Sequence, residues 1–428
     1  MREKMITGLL FIFLAIPGYG QVNQDGEIPL APAQNQRPEN FQPTNYQYSW
    51  KELKDNFSEK TTKLATKQYE KVSDVNNRGK WKPTPESIDR HKAPEWFKDA
   101  KFGMFIDWGP WSVAGWAPKK DKGAMYPDWY EFRFDTDTAF FKYHKKNWGN
   151  DFERDDFIPL FKAEKYKPQK LVGIAKDAGM KYIVPFCKHH GGFCLWPSSF
   201  TQRDVVDMGP KKDLIKPLVE ECRKEGLKFG FYFSIEEWEY PIIDGAGNLQ
   251  NRAWGEIKKY TPDLEHKSSG KIAVKNYATD YLVPQATEFI DKYDPDILWY
   301  DGDLSTAGPE ELHTYDISAY FYNKSEGRKE VAVNDRYGKK DNKWYRSIRG
   351  DFFTNEYGDM EKEANQTIHA WEANRGISQS FGYNWHDTGE NVISSKEFIN
   401  MFVDIVAQGG NLLLIVNLDG QGALPMIQ

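Results

Sequence analysis

Between residue 85 and the C-terminus, short apolar runs recur with amphipathic stretches between several of them. The runs are Phe102–Ile106, Tyr182–Phe186, Phe229–Phe233, Ile297–Tyr300, Val331–Val333, Phe352–Thr354, a weaker one at Ala370–Trp371, and Leu412–Val416. Their length suits a buried strand and is too short for a buried helix. Leu214, Ile215, Leu218, Val219 and Cys222 share one helical face, and Gly226 follows as a stop. Tyr281, Leu282, Ala286, Phe289 and Ile290 form a second face. Phe398, Phe402, Ile405 and Val406 form a third, ended by Gly409-Gly410. Strands alternating with helices in this way predict an α/β fold, a (β/α)8-like TIM-type barrel, either regular or distorted.

The polar residues at the end of each run are the second constraint. Run one ends in Asp107-Trp108-Gly109-Pro110, and run two leads to Cys187-Lys188-His189-His190. Run three contains Tyr232 and is followed by Ser234 and Glu236-Glu237-Trp238. Run four ends at Asp301-Gly302, run five at Asn334-Asp335-Arg336, run six at Asn355-Glu356, and run seven is Trp371-Glu372. In a barrel of this type the strand tips converge on one mouth. Carboxylates, a His pair, an Arg and several Trp would then line one pocket. Trp299 and Tyr300, beside Asp301, would give it apolar walls. The plainer role for Asp301 is to cap the next loop.

Two carboxylates with His, Arg and Trp suit glycoside hydrolysis, in which one attacks or steadies the anomeric centre and the other protonates the leaving oxygen. His189 and His190 are adjacent, so on a strand they point to opposite faces, which favours hydrogen bonding over joint chelation. Cys187, Cys194 and Cys222 lack metal-type spacing. No metal or cofactor is expected. The three thiols are expected free and buried, in preference to a Cys187–Cys194 bridge.

The 57 basic and 63 acidic residues give a formal charge of −6, which offers no reason to expect nucleic-acid binding. The 15 Trp, 23 Tyr and 27 Phe suit either sugar stacking or a large aromatic core. Met1–Lys4 precedes the apolar run Ile6–Ile16 and then Pro17-Gly18-Tyr19-Gly20, the pattern of a signal peptide over residues 1–20, cleaved after Gly20. The expected location is exported, periplasmic or secreted. No stretch is long and apolar enough for a membrane span. Residues 21–84 read as a linker and a charged N-terminal segment, with a solvated helix over 46–75. Residues 85–428 are the catalytic domain.

Five motifs carry a resemblance. PEWFKDAKFGMFIDWGP (Pro94–Pro110) resembles the opening of the α-L-fucosidases of glycoside hydrolase family 29. So do KHHGGFCLWPS (Lys188–Ser198), FGFYFSIEEWEYP, ILWYDG and GGNLLLIVNLDGQG. The resemblance implies a (β/α)8-like barrel followed by a β-sandwich, and removal of terminal α-L-fucose with retention. It implies Asp301 as the nucleophile and Glu356, in FFTNEYG, as the acid/base, with Glu372 as the competing candidate. His189, His190, Tyr232 and Arg336 fall on fucose-binding positions. Asp128-Trp129 resembles a Glu-Trp contact to fucose, and Trp299 joins the substrate-binding set. Trp196 and Trp238 fit pocket or packing equally, and Glu236 and Glu237 are expected at the rim.

The sequence departs from the pattern twice. Asp107 stands where the family has a fucose-binding His, so it is expected to face the pocket. There it would bind hydroxyls opposite a protonated His189 or His190, or reject anionic substituents; the plain alternative is a loop cap. Second, the sequence stops at Gln428, just after the last strand, so the C-terminal β-sandwich is expected to be absent. The expected function is a retaining exo-α-L-fucosidase acting on fucosylated oligosaccharides or polysaccharides. The alternative is a catalytically weak fucose-binding pseudoenzyme or carbohydrate-capture protein.

Overall fold

The apolar runs form parallel strands, and their order decides where the polar tips meet. They are β1 (Phe102–Asp107), β2 (Tyr182–Lys188), β3 (Lys228–Ser234), β4 (Ile297–Asp301), β5 (Ala332–Val333), β6 (Phe352–Glu356), β7 (Ala370–Gly376) and β8 (Asn411–Asn417). The computed structural model describes residues 28–43, 49–120, 124–253, 255–259, 268–302, 307–338, 349–357 and 370–428. The signal peptide read over residues 1–20 lies outside the described residues.

The strands hydrogen-bond in the order β5-β4-β3-β2-β1-β8-β7-β6, all parallel. Asn334 and Phe352 form a single parallel bridge across the remaining seam. The Asp351 N–H also donates to the Val333 carbonyl there, at 2.7 Å. The barrel is therefore nearly closed; it is irregular at the two-residue β5 and at a register shift between Phe186 and Lys188 of β2. Strands buried on both faces read as unbroken apolar runs, which is why the sequence pattern was visible. Pairing register sets the tips level: Asp107 lies beside Asn417, and Ser234 beside Asp301.

Helices cover the outside. Among them are α1 (Trp50–Arg78), α2 (Pro168–Asp177), α3 (Lys216–Glu225), α4 (Val283–Tyr293), α5 (Thr314–Ser325) and α6 (Ser395–Ala407). Leu218, Val219 and Cys222 are the buried stripe of α3, and Gly226 ends it at φ 74°. Glycine tolerates that left-handed conformation without a Cβ penalty.

The segment read as linker and charged helix is attached to the barrel. Ser49 and Glu52 form a capping box that starts α1. Its buried face carries Trp50, Leu53, Ala65 and Val72, and it packs on α4 and α5. Trp50 Nε1–H donates to the Ser268 carbonyl at 2.9 Å, and Asn76 Nδ2 donates to the Asp316 carbonyl at 3.0 Å. Widely spaced apolar residues among many charges hid this stripe. Upstream, Ala31 N–H donates to Asn147 Oδ1 at 2.8 Å, and Asn35 Nδ2 to the Val113 carbonyl at 2.9 Å.

A three-stranded antiparallel sheet, Tyr240–Ile243, Leu249–Ala253 and Glu256–Lys259, follows β3 on the mouth side. Cys187, Cys194 and Cys222 are free and buried. No described helix is long and apolar enough to cross a membrane.

Candidate active site

Alternation along β4 places Trp299 and Asp301 on the barrel's inner side, with Asp301 at the tip and Trp299 one layer below. Tyr300 points the other way, its hydroxyl donating to the Thr314 carbonyl of α5 at 3.2 Å. Of the two aromatics expected as walls, Tyr300 is fully buried and points away, and Trp299, 1% exposed, lies beneath Asp301 against Tyr232 and Arg336. Gly302 is required after Asp301, because a Cβ there would lie 2.3 Å from Ile235 Cδ1.

Asp301 is held from three sides. Tyr232 donates its hydroxyl to Oδ2 at 2.5 Å. Arg336 Nη1 donates to Oδ1 at 3.2 Å, and His190 Nε2 lies 3.5 Å from Oδ2. Burial alone would raise this carboxyl, but His190, the Arg336 guanidinium and the Tyr232 hydroxyl outweigh it, and its pKa lies below the ordinary value. Burial also lowers His189 to about 4 and His190 to about 3, so both rings are neutral near pH 7. Arg336 and Tyr232 therefore keep Asp301 ionised there.

Arg336 reaches the second carboxylate as well. Its Nη2 donates to Glu356 Oε1 at 2.6 Å. Its Nε donates to Thr354 Oγ1 at 2.9 Å, and that hydroxyl donates to Asp335 Oδ1 at 2.8 Å. The guanidinium also lies 4.8 Å from the centre of the Trp299 ring. These contacts fix the fork that spans the two acids. Tyr357, directly after Glu356, has a φ of 49°, an uncommon value for a bulky residue.

His189 and His190 were expected on opposite faces. β2 ends at Lys188, and the pair lies in the turn beyond, where Gly192 N–H donates to the His189 carbonyl at 3.0 Å. Strand alternation no longer applies, and the ring centroids are 4.3 Å apart. His190 Nδ1 is 2.7 Å from Ser234 Oγ. His189 Nε2 is 3.4 Å from Asp128 Oδ2. Trp129, half-buried, sets its ring 5.5 Å from His190, and Trp238 lies 5.9 Å from Trp129. Trp238 is buried and packs on Trp129 and Phe132 beside the His pair, whereas Trp196 packs on Phe231 and Phe289 in the core. Among the described residues, no group of three or more His, Cys, Asp or Glu is arranged to hold a metal ion.

Asp107 sits at the tip of β1 but is fully buried. Trp111 Nε1–H donates to its Oδ1 at 3.1 Å. Burial and the Asp128 carboxyl push Asp107 well above the carboxylate range. The shift favours its neutral form, which can donate a hydrogen bond where the ionised group expected only accepts. Burial leaves His189 and His190 uncharged near pH 7, so neither supplies the balancing cation expected. Burial also raises Asp128, opposed by Arg133 and reinforced by Glu356.

One further expectation changes. Glu236 and Glu237 are buried, not at the rim. Glu237 pairs with Lys188 at 3.0 Å and Lys271 at 2.8 Å, and Glu236 with Arg252 at 2.8 Å. Glu372, the competing acid/base candidate, is fully buried inside the barrel, where Tyr182, Trp299 and Asn374 donate to it. Trp111, Ser234 and Thr354 hold Asp107, His190 and Arg336; Ser234 and Thr354 were read only as residues at strand ends, and Trp111 was missed. Trp111 lies four residues after Asp107, and Thr354 two before Glu356, but nothing in their types marks them.

The sequence profile of the alpha-L-fucosidase family matches residues 68–428. Human plasma alpha-L-fucosidase is 31% identical over 79% of this chain and 66% of its own length. Rat tissue alpha-L-fucosidase is 27% identical over 81% of this chain and 68% of its own. The chain thus spans about two thirds of the length of these curated relatives. The Thermotoga maritima alpha-fucosidase, solved in complex with a mechanism-based inhibitor, is 37% identical with a TM-score of 0.64, over 81% of this chain and 74% of that one.

Proposed function

The chain belongs to the alpha-L-fucosidase family, and we propose that it is a retaining exo-α-L-fucosidase that removes terminal α-L-fucose from fucosylated oligosaccharides or polysaccharides. One observation carries the reading: Arg336 holds Asp301 and Glu356 together at the barrel mouth, at 3.2 and 2.6 Å. A pair of carboxyls held on one guanidinium supplies the nucleophile and the acid/base that double displacement uses.

In the first step an Asp301 oxygen attacks the anomeric carbon. The glycosidic C–O bond breaks, and protonated Glu356 gives its proton to the departing oxygen. The product is a fucosyl ester of Asp301. In the second step Glu356 takes a proton from water, the hydroxyl adds to the anomeric carbon, and the Asp301 carboxylate is released. Arg336 donates to Glu356 Oε1 at 2.6 Å, which positions that carboxyl for the proton transfers of both steps. Tyr232 and Arg336 stabilise the Asp301 carboxylate as it leaves. The neutral His189 and His190 rings suit hydrogen bonding to hydroxyls. The assembled carboxylates argue against a binding protein without turnover.

The leader pattern at Met1–Gly20 supports export to the periplasm or medium; sequencing the N-terminus of the exported protein tests it. Turnover is tested by following an aryl α-L-fucoside by proton NMR. α-L-Fucose should appear first and mutarotate later. First-formed β-L-fucose, or no release, would overturn the reading.

A further inference from the structure

Glu372 lies on β7 opposite Thr354 of β6, two residues below the level of Glu356. It is fully buried and accepts three hydrogen bonds: from Tyr182 Oη at 2.6 Å, Trp299 Nε1 at 3.0 Å and Asn374 Nδ2 at 3.2 Å. An indole N–H only donates, and when buried it needs an acceptor. The Trp299 ring meets Tyr232 at 5.4 Å and 21° on one side, and the Arg336 guanidinium lies 4.8 Å from its centre. Those two residues hold Asp301, and Arg336 also holds Glu356.

We propose that Glu372 is a positioning residue: it anchors the Trp299 indole as the floor on which Tyr232 and Arg336 align the two reacting carboxyls. This rests on the assignment of Asp301 and Glu356 above. Glu372 itself lies below that floor and transfers no proton to substrate. The groups facing it are Tyr182 of β2, Trp299 of β4 and Asn374 of β7, with Arg336 beyond the indole. Burial, opposed by the three hydrogen bonds, raises its carboxyl to about 6. Either protonation state leaves an oxygen for the indole, so the anchoring needs an acceptor, not a charge.

Three variants test this on one α-L-fucoside with thermal melts alongside. Glu372→Met keeps the volume and removes the acceptor. It should lower kcat on the order of 10- to 100-fold, with KM within about 3-fold, as small misplacement of catalytic groups does. Glu372→Gln should restore kcat to within about 5-fold of wild type, since its amide oxygen accepts from Trp299 and Tyr182 can accept from its NH2. Trp299→Phe should lose about as much as Glu372→Met, and the double variant no more than either, because both break one contact. If Glu372→Met does not fold, Trp299→Phe and Glu372→Gln carry the test alone. Wild-type kcat in Trp299→Phe, additive losses, or a Glu372→Gln as inactive as an acid/base deletion would overturn the proposal. The Asp301→Gly protein is the control. If it keeps turnover, the assignment of the nucleophile has failed, independently of Glu372.

Discussion

Arg336 and Glu356 are joined by one hydrogen bond, Nη2 to Oε1 at 2.6 Å, while the other arm of the same guanidinium holds Asp301. Nucleophile and acid/base are thus aligned through one rigid fork. A lysine is a point charge on a flexible stem and cannot reproduce that bridge. Arg336→Lys should therefore lose roughly 10²–10³ in kcat/KM, the scale of one lost pre-organised donor. Steady-state kinetics check this, and a Lys variant near wild type would remove the fork from the mechanism.

Glu356→Ala should slow substrates with poor leaving groups far more than activated aryl fucosides, because the former need a proton. The difference should be on the order of 10²–10⁴. A plot of log kcat/KM against leaving-group pKa should steepen for Glu356→Ala and stay unchanged for Glu372→Gln. The opposite pattern would exchange the two roles.

The His pair should stay silent over the working pH range. Burial lowers His189 to about 4 and His190 to about 3. Groups lowered in the fold contribute stability that is present above their unfolded value and is lost as pH falls toward those folded values. No imidazole of this pair should titrate between pH 5 and 8, and His189→Gln should remove part of the acid-side loss of stability. Ring-proton NMR with melts from pH 8 to 4 checks both statements.

Asp107 has the opposite sign. Its carboxyl is raised, so its contribution is complete at low pH and falls as pH rises toward its folded value. Asp107→Asn mimics the neutral acid and should keep activity. It should gain stability relative to wild type at pH 8 and lose that advantage at pH 4. Asp107→Leu strands the Trp111 indole and should cost about 1–3 kcal/mol. A large rise in KM for Asp107→Asn would mean that a charged Asp107 recognises substrate.

The barrel was legible because parallel strands buried on both faces must be apolar without interruption, and Phe102–Ile106 or Leu412–Val416 cannot hide. The carboxylates at strand tips were legible for the same reason: Asp301 ends such a run abruptly. The contacts each side chain leans on were not. Trp299 looked like a wall until pairing register placed it a layer below Asp301. His189 and His190 were misread because the strand ends one residue earlier than the alternation argument assumed. Asp107 looked ionised because its burial and the neighbouring Asp128 carboxyl, which comes from outside its strand, cannot be read from the strand itself.

The central claim is that Asp301 forms the covalent bond to fucose. The measurement is turnover of an aryl α-L-fucoside by Asp301→Gly with and without azide, with the product identified by NMR. Without a carboxylate to attack, turnover should fall to background; with azide filling the gap, it should recover as β-L-fucosyl azide, formed by a single inverting displacement. Near wild-type turnover without azide, or rescue that yields α-L-fucosyl azide, would contradict the assignment.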